Sequence, residues 1–191
     1  MKIKSAQFKK GVVGEDHILY DKFPQIAFVG RSNVGKSSVL NTLVGSNKGL
    51  ARTGKKAGKT TEINFYDVNG KYYFVDLPGY GFAKLGIEAR EKIREMILGY
   101  LTNKEARILR VAIVLDAKVG LTDFDRDILE ILRDAGLPAF IILNKTDKLN
   151  QKELVSSIRE LEAEIAPDIP VFPYSTLTEK RVKELREKLI S

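Results

Sequence analysis

Apolar and polar positions follow two rhythms along this chain. Short continuous apolar runs are separated by stretches in which apolar residues recur every three or four positions. QIAFVG (25–30), RVAIVLD (110–116) and AFIILN (139–144) are runs of the first kind and predict strands buried on both faces. INFYDV (63–68) and KYYFVD (71–76) flank Asn69-Gly70, a strong β-hairpin signal. PVFPYS (170–175) predicts a last short strand, and its prolines place it at a sheet edge or strand end. Helical spacing appears first between Gly35 and Gly45, and then in Ile93, Met96, Ile97, Tyr100 and Leu101. It returns in Phe124, Ile128, Ile131 and Leu132, behind a capping-box pair of Thr122 and Asp125. Asn150 and Glu153 open a helix carrying Leu154, Ile158, Leu161 and Ile165. Thr178 is the expected cap of a final helix with Val182, Leu185 and Leu189.

Strands alternating with helices predict an α/β fold, a three-layer αβα sandwich whose sheet is mostly parallel and covered on both faces. The Asn-Gly hairpin adds one antiparallel strand. Ligands in such folds bind beyond the carboxyl ends of the strands, so the residues just after each predicted strand are where chemistry is sought.

Composition narrows the class. A chain of 191 residues, 43% hydrophobic and 30% charged, suits one soluble domain, taken here as residues 1–191 with 1–20 as an extension and 21–191 as the core. Cysteine is absent, which excludes disulfides and thiolate chemistry. No apolar run approaches a membrane span, and MKIKSAQFKK has no apolar segment behind it, so a cytoplasmic protein with no membrane role is expected. The net charge of +7 is uneven: residues 1–60 hold 12 Lys/Arg against 3 Asp/Glu, and residues 61–191 hold 20 against 22. A basic first third suits a polyanionic partner such as RNA, or simply a solvated surface with one phosphate-binding lysine.

Three motifs fall directly after predicted strands. Gly30-Arg31-Ser32-Asn33-Val34-Gly35-Lys36-Ser37 fits G-x-x-x-x-G-K-[ST]. Its glycines let backbone N–H groups turn inward onto phosphate oxygens. Lys36 adds a charge at the β and γ phosphates, the Ser37 hydroxyl can ligate Mg²⁺, and the helix N-terminus points at the same anion. Asp76-Leu77-Pro78-Gly79 closes the hairpin; the Asp can hold Mg²⁺ through water and the Gly79 N–H can meet a γ-phosphate. Alone this is a common turn, and its value comes from its position one hairpin after the phosphate loop. Asn144-Lys145-Thr146-Asp147 identifies the base. Guanine carries N–H groups at N1 and at the 2-amino position, and the Asp147 carboxylate can accept from both. Adenine has no matching donors and would leave the carboxylate unpaired. Asn144 can reach the purine edge, and the Lys145 stem can cover the ring.

Two assignments are softer. In KKAGKTT (55–61), a threonine could complete a Mg²⁺ shell, with Thr60 preferred over Thr61; the lysines suit a solvated, mobile loop. Ser175-Thr176-Leu177 could support the base with backbone N–H groups or act as an ordinary helix cap. His17, the only histidine, is expected at the surface, so no histidine-based triad is available.

PQIAFVGRSNVGKSSVLN, GKTTEINFY, DLPGYGFAK and NKTD, in this order and spacing, closely resemble the EngB family of bacterial ribosome-assembly GTPases over about residues 20–190. The resemblance implies a Ras-like G domain with a six-stranded mixed sheet, GTP hydrolysis to GDP, a role in large ribosomal subunit assembly through rRNA and ribosomal proteins, and a need for the protein in cell division and septation. A monomer is expected. Carried over residue by residue, the phosphates would meet Gly30 to Ser37 and Ser38, and the first switch would be Gly58, Lys59, Thr60, Thr61 and Glu62. Mg²⁺ would sit on Ser37, Thr60 and, through water, Asp76. Leu77, Pro78 and Gly79 would follow the γ-phosphate. Asn144, Lys145, Thr146 and Asp147 would read guanine, with Tyr174, Ser175 and Thr176 beside the base. The catalytic set would be Lys36, Thr60, Gly79 and Asn33.

In Ras-like enzymes a glutamine follows D-x-x-G and orients the attacking water. Here Tyr80 holds that position, so slow intrinsic hydrolysis is expected, completed by K⁺ at Asn33 or by a ribosomal particle. Tyr80 and Phe82 are candidate contact residues, or aromatics packed on their own domain. A signalling switch acting on protein effectors at the division site is the alternative function. A P-loop ATPase or small-molecule kinase is disfavoured by NKTD.

Overall fold

The computed structural model describes residues 2–45, 50–51, 62–81 and 85–190. Gly58, Lys59, Thr60 and Thr61, with the rest of 55–61, and Phe82 lie outside the described residues.

The strands are β1 (Ala6–Val12), β2 (Gln25–Val29), β3 (Ile63–Val68), β4 (Tyr72–Asp76), β5 (Ile108–Asp116), β6 (Ala139–Asn144) and β7 (Val171–Pro173). The helices are α1 (Lys36–Val44), α2 (Ile87–Leu101), α3 (Asp123–Asp134), α4 (Gln151–Glu164) and α5 (Val182–Ile190). Among the described residues the sheet has seven strands in the order β1-β3-β4-β2-β5-β6-β7, one more than the six expected. The seventh is β1, at the edge of the sheet, formed by residues expected as an extension. It pairs antiparallel with β3, from Ala6 opposite Val68 to Val12 opposite Ile63, with an irregularity between Phe8 and Lys10. Both antiparallel pairings belong to β3, so β3 is the one reversed strand, and every other neighbouring pair is parallel.

The hairpin forms as its sequence requires. Asn69 and Gly70 take φ of +59° and +61°, the left-handed pair of a tight turn. Asn69 also accepts from the Lys4 and Ser5 N–H groups, which fixes the start of β1. On one sheet face Ile93, Ile97, Ile128, Leu132 and Leu161, from α2, α3 and α4, pack on Val29, Val75 and Ile113. On the other, Val39, Leu40, Leu43, Leu185 and Leu189, from α1 and α5, pack on Phe28, Phe74 and Val114. Burial of these apolar faces stabilises the three layers at roughly 25 cal/mol per Å².

Caps set the helix starts. Asn150 and Glu153 make the reciprocal capping box expected of them, at 2.9 and 3.0 Å. Thr178 does not cap the last helix, which begins at Val182. Glu179 and Arg181 take φ of +52° and +65°, so the chain turns twice before it can propagate a helix. His17 is exposed. Among the described residues no helix is long and apolar enough to cross a membrane.

Candidate nucleotide site

Strand order creates the site. The chain leaves β2 towards β4 on one side and reaches β5 on the other, so β2 lies at a topological switch point where such sheets open a crevice. Phe28 of β2 is level with Asp76, the last residue of β4, and Asp116, the last of β5, is level with Asn144, the last of β6. The three motifs therefore leave the sheet side by side.

The loop between β2 and α1 packs too closely for side chains at its glycines. A Cβ on Gly30 would stand 2.6 Å from the Val114 carbonyl oxygen. Gly35 takes φ of +96°, and a Cβ there would stand 2.4 Å from Asn144 Nδ2. Asn33 is also left-handed, at φ +67°, a conformation asparagine tolerates better than most residues. Arg31 and Asn33 are exposed, Val34 is buried, and Ser37 and Ser38 sit half-buried in the first turn of α1.

Lys36 and Asp76 are both buried, at 7% and 4% exposure, and form a direct ion pair. Burying either charge alone would be strongly destabilising, so each depends on the other. Leu77 continues the β4 register by donating to the Phe28 carbonyl at 3.0 Å. Pro78 and Gly79 then bring the chain against the phosphate loop, where a Cβ on Gly79 would lie 3.2 Å from Ser32 Oγ. The Ser32 N–H donates to the Tyr80 carbonyl at 2.7 Å, and Arg31 bridges Tyr80. Tyr80 itself is 4% exposed, edge-on to Phe124 at 4.7 Å, and its hydroxyl donates to Asp125. It is an aromatic packed on its own domain and not an exposed contact residue.

The base-side loop is tied to the phosphate loop. Asn144 is fully buried and its Nδ2 donates to the Val34 carbonyl at 2.8 Å, so it staples the two loops together. Lys145, left-handed at φ +64°, donates to the Asn33 carbonyl and to Asp116. Burial alone would raise the Asp116 carboxyl, but hydrogen bonds from Lys145 and the Lys118 N–H outweigh it and hold Asp116 below the usual carboxylate range. Thr146 donates through its N–H and its hydroxyl to the Tyr174 carbonyl, at 3.2 and 2.9 Å. The Tyr174 ring lies in the core beside Phe172, where burial pushes its phenol up to about 12. Asp147 is exposed, and its carboxylate accepts from the Ser175 hydroxyl at 2.5 Å. The same hydroxyl oxygen accepts from Leu177 N–H at 3.2 Å, so Ser175 braces Asp147 and also shapes the turn before α5. Thr176 is half-buried in that turn. Glu62 turns away from the loops, its carboxylate lying over Gly11 of β1.

Asp116 at the end of β5, Thr122 just before α3 and Asp125 in its first turn touch this constellation and were not expected there from the sequence. Asp125 accepts from the Thr122 N–H at 2.8 Å, the half of the capping box that was legible, but its contact with Tyr80 spans 45 residues. No local pattern announces such a contact.

A glycine loop opening a helix at a switch point, a buried lysine–carboxylate pair at its mouth and an exposed, braced carboxylate beside it define a P-loop GTPase. The family model described as 50S ribosome-binding GTPase matches residues 25–145, and that of the elongation factor Tu GTP binding domain matches residues 100–191. The chain is 38% identical over 192 residues to the probable GTP-binding protein EngB of Thermosipho africanus, covering 98% of this chain and 96% of that protein. It is 42% identical over 168 residues to that of Kosmotoga olearia, covering 87% of each. A crystal structure of a probable GTP-binding protein EngB matches with a TM-score of 0.72 at 26% identity, over 87% of this chain and 96% of that one. The chain belongs to the EngB family of GTP-binding proteins.

Proposed function

We propose that this protein is a guanine-nucleotide switch in assembly of the large ribosomal subunit, binding immature or mature particles with GTP and leaving after hydrolysis. One observation carries the switch itself: the phosphate loop, the Asp76–Gly79 turn and the Asn144–Asp147 loop converge on one crevice, with Lys36 against Asp76 at its mouth. The ribosomal target is supported by the family model described as 50S ribosome-binding GTPase and by the basic first third of the chain. Effects on cell division and septation would follow from failed assembly. The protein acts in this reading as a cytoplasmic monomer built as one G domain.

Gly30 to Ser38 would cradle the phosphates with backbone N–H groups. Lys36 would leave Asp76 for the β and γ phosphates, and Gly79 would donate to the γ-phosphate. Asp147, held by Ser175, would read guanine. Among the described residues no cluster of three or more His, Cys, Asp or Glu could hold a metal. Mg²⁺ takes one or two protein oxygens and fills its shell with phosphate and water. The hydroxyl of Ser37 and the carboxylate of Asp76 are hard donors of this kind, with Thr60 assigned as the third. Bound there, the ion would neutralise charge on the β and γ phosphates.

Hydrolysis is slow in this reading. The residue after Gly79 is a buried tyrosine whose hydroxyl is spent on Asp125, so it cannot orient a water. A K⁺ ion at Asn33 would complete catalysis.

The test is co-sedimentation with isolated large ribosomal subunits at two salt concentrations, with a non-hydrolysable GTP analogue, with GDP and without nucleotide. Salt-sensitive pelleting only with the analogue is expected. No pelleting in any state would overturn the ribosomal reading and favour a switch acting on protein effectors at the division site.

A further inference from the structure

The residue just after the Asp76–Gly79 turn is held by the fold on three sides. The Tyr80 carbonyl accepts from Ser32 of the phosphate loop, its ring stands edge-on to Phe124, and its hydroxyl donates to Asp125. Asp125 is 1% exposed and lies in the first turn of α3. Its other oxygen accepts from both the N–H and the hydroxyl of Thr122. A carboxylate this deeply buried is stable only with such donors, and removing one leaves it under-solvated. Burial and the Asp125 charge push the Tyr80 phenol far above its ordinary range, so it stays a donor at every physiological pH.

We infer that Tyr80 and Asp125 are positioning residues for γ-phosphate recognition: their hydrogen bond anchors the chain just after Gly79 to α3, holding the Gly79 N–H against the phosphate loop. The argument is geometric. Gly79 has no side chain to fix it, and its near contact with Ser32 leaves little play on the loop side. The next residue is the first that can be gripped, and it is gripped at the backbone and at the far end of its side chain. Gly81, at φ +73°, follows in the left-handed region and bends the chain away from this grip. The tyrosine in the place of a water-orienting glutamine thus has a different task. It sets the sensor instead of the nucleophile. A GDP complex has no γ-phosphate and does not use this contact, so the anchor favours GTP selectively.

This inference rests on the assignment of Gly79 as the γ-phosphate donor, and the experiment separates the two. Dissociation constants for fluorescent GDP and a fluorescent non-hydrolysable GTP analogue are measured in the wild-type chain, Tyr80→Phe, Asp125→Asn and Gly79→Ala. Tyr80→Phe keeps the ring on Phe124 and loses only the hydroxyl. It is expected to weaken the analogue roughly tenfold, with GDP within about twofold. Asp125→Asn leaves one oxygen for two sides that both donate, the phenol and Thr122, and is expected to shift the ratio the same way. An unchanged ratio in Tyr80→Phe, including parallel losses for both nucleotides, overturns the anchor if Gly79→Ala still lowers the ratio. So does an unchanged ratio in Asp125→Asn while Gly79→Ala lowers it. An unchanged ratio in Gly79→Ala overturns the γ-phosphate assignment, and the anchor falls with it.

Discussion

The Lys145 ammonium lies 2.7 Å from the Asp116 carboxylate and 2.6 Å from the Asn33 carbonyl oxygen. One side chain thus joins the loop after β6, the end of β5 and the phosphate loop. A lysine free in solvent would lose up to about 2 kcal/mol of rotamer freedom on closing over a base, and here Asp116 has already removed most of it. Asp116→Asn keeps the shape and removes the charge. It is expected to cost about 1–2 kcal/mol of nucleotide affinity, roughly 5–30-fold, for GDP and GTP alike, because both carry the base. Titration calorimetry with each nucleotide checks it. A loss confined to GTP would place Asp116 on the phosphate side.

The same pair predicts a pH dependence of the nucleotide-free protein. The folded-state Asp116 carboxyl is held below its ordinary value, so its contribution is present above the unfolded pKa of about 3.9 and lost as pH falls through the folded value. Asp116→Asn should therefore melt several degrees lower than wild type at an equal gap from pH 8 to pH 5. The gap should close below about pH 4. Melting curves across this range decide it, and a gap that closes near neutral pH would point to another group.

Gly35→Ala tests the joint between the two loops. The new methyl would meet Asn144 Nδ2 and sit on a left-handed backbone. Asn144 cannot retreat, since it is fully buried and its amide serves Val34. A destabilisation of about 2–4 kcal/mol is expected, a fall in melting temperature of about 5–15 °C, with loss of guanine nucleotide binding. Chemical denaturation and a nucleotide filter assay measure the two losses.

The features that local chemistry determines were legible in advance. Asn69-Gly70 could only be a tight turn between two apolar runs, and Asn150 with Glu153 could only open a helix. Long apolar runs in 25–29 and 139–144 became central strands, because a strand buried on both faces needs nothing else. Strand β1 escaped notice because AQFKKGV is mostly exposed and is recruited by backbone pairing to β3, more than 50 residues away. Thr178 misled because its own propensity is right, while the left-handed residues after it are set by how the loop returns to α5. At the site, the motif residues were visible as motifs. Their braces were not: Asp116 and Asp125 are ordinary strand-end and helix carboxylates until the fold brings Lys145 and Tyr80 to them.

The proposed potassium dependence can be tested at one side chain. The Asn33 carbonyl already serves Lys145, so only its exposed side-chain amide is open to an ion. Asn33→Gly removes that amide and tolerates the φ of +67°. Turnover is expected to be faster in potassium than in sodium buffer for the wild-type chain, and equal in both for Asn33→Gly. Equal turnover in the wild-type chain would remove K⁺ from the mechanism.

The carboxylate proposed to read the base is one that the fold leaves exposed but not loose. Asp147 accepts from Ser175 at 2.5 Å, which uses one lone pair and aims the rest of the carboxylate outward. Ser175 is 6% exposed, so its hydroxyl cannot be replaced readily by water. Ser175→Ala should let Asp147 rotate, costing about 1 kcal/mol for GDP and GTP equally, roughly fivefold in affinity. Discrimination against ADP should narrow by the same factor, because the loss falls only on the pairing with guanine. Asp147→Asn goes further. An amide opposes its N–H₂ to the guanine 2-amino group, a clash of donors, but matches the carbonyl that xanthine carries there. Guanine affinity should fall at least a hundredfold while xanthosine diphosphate binding rises, read by competition against a fluorescent nucleotide. A variant that loses both bases equally would mean that Asp147 holds the loop and does not read the base.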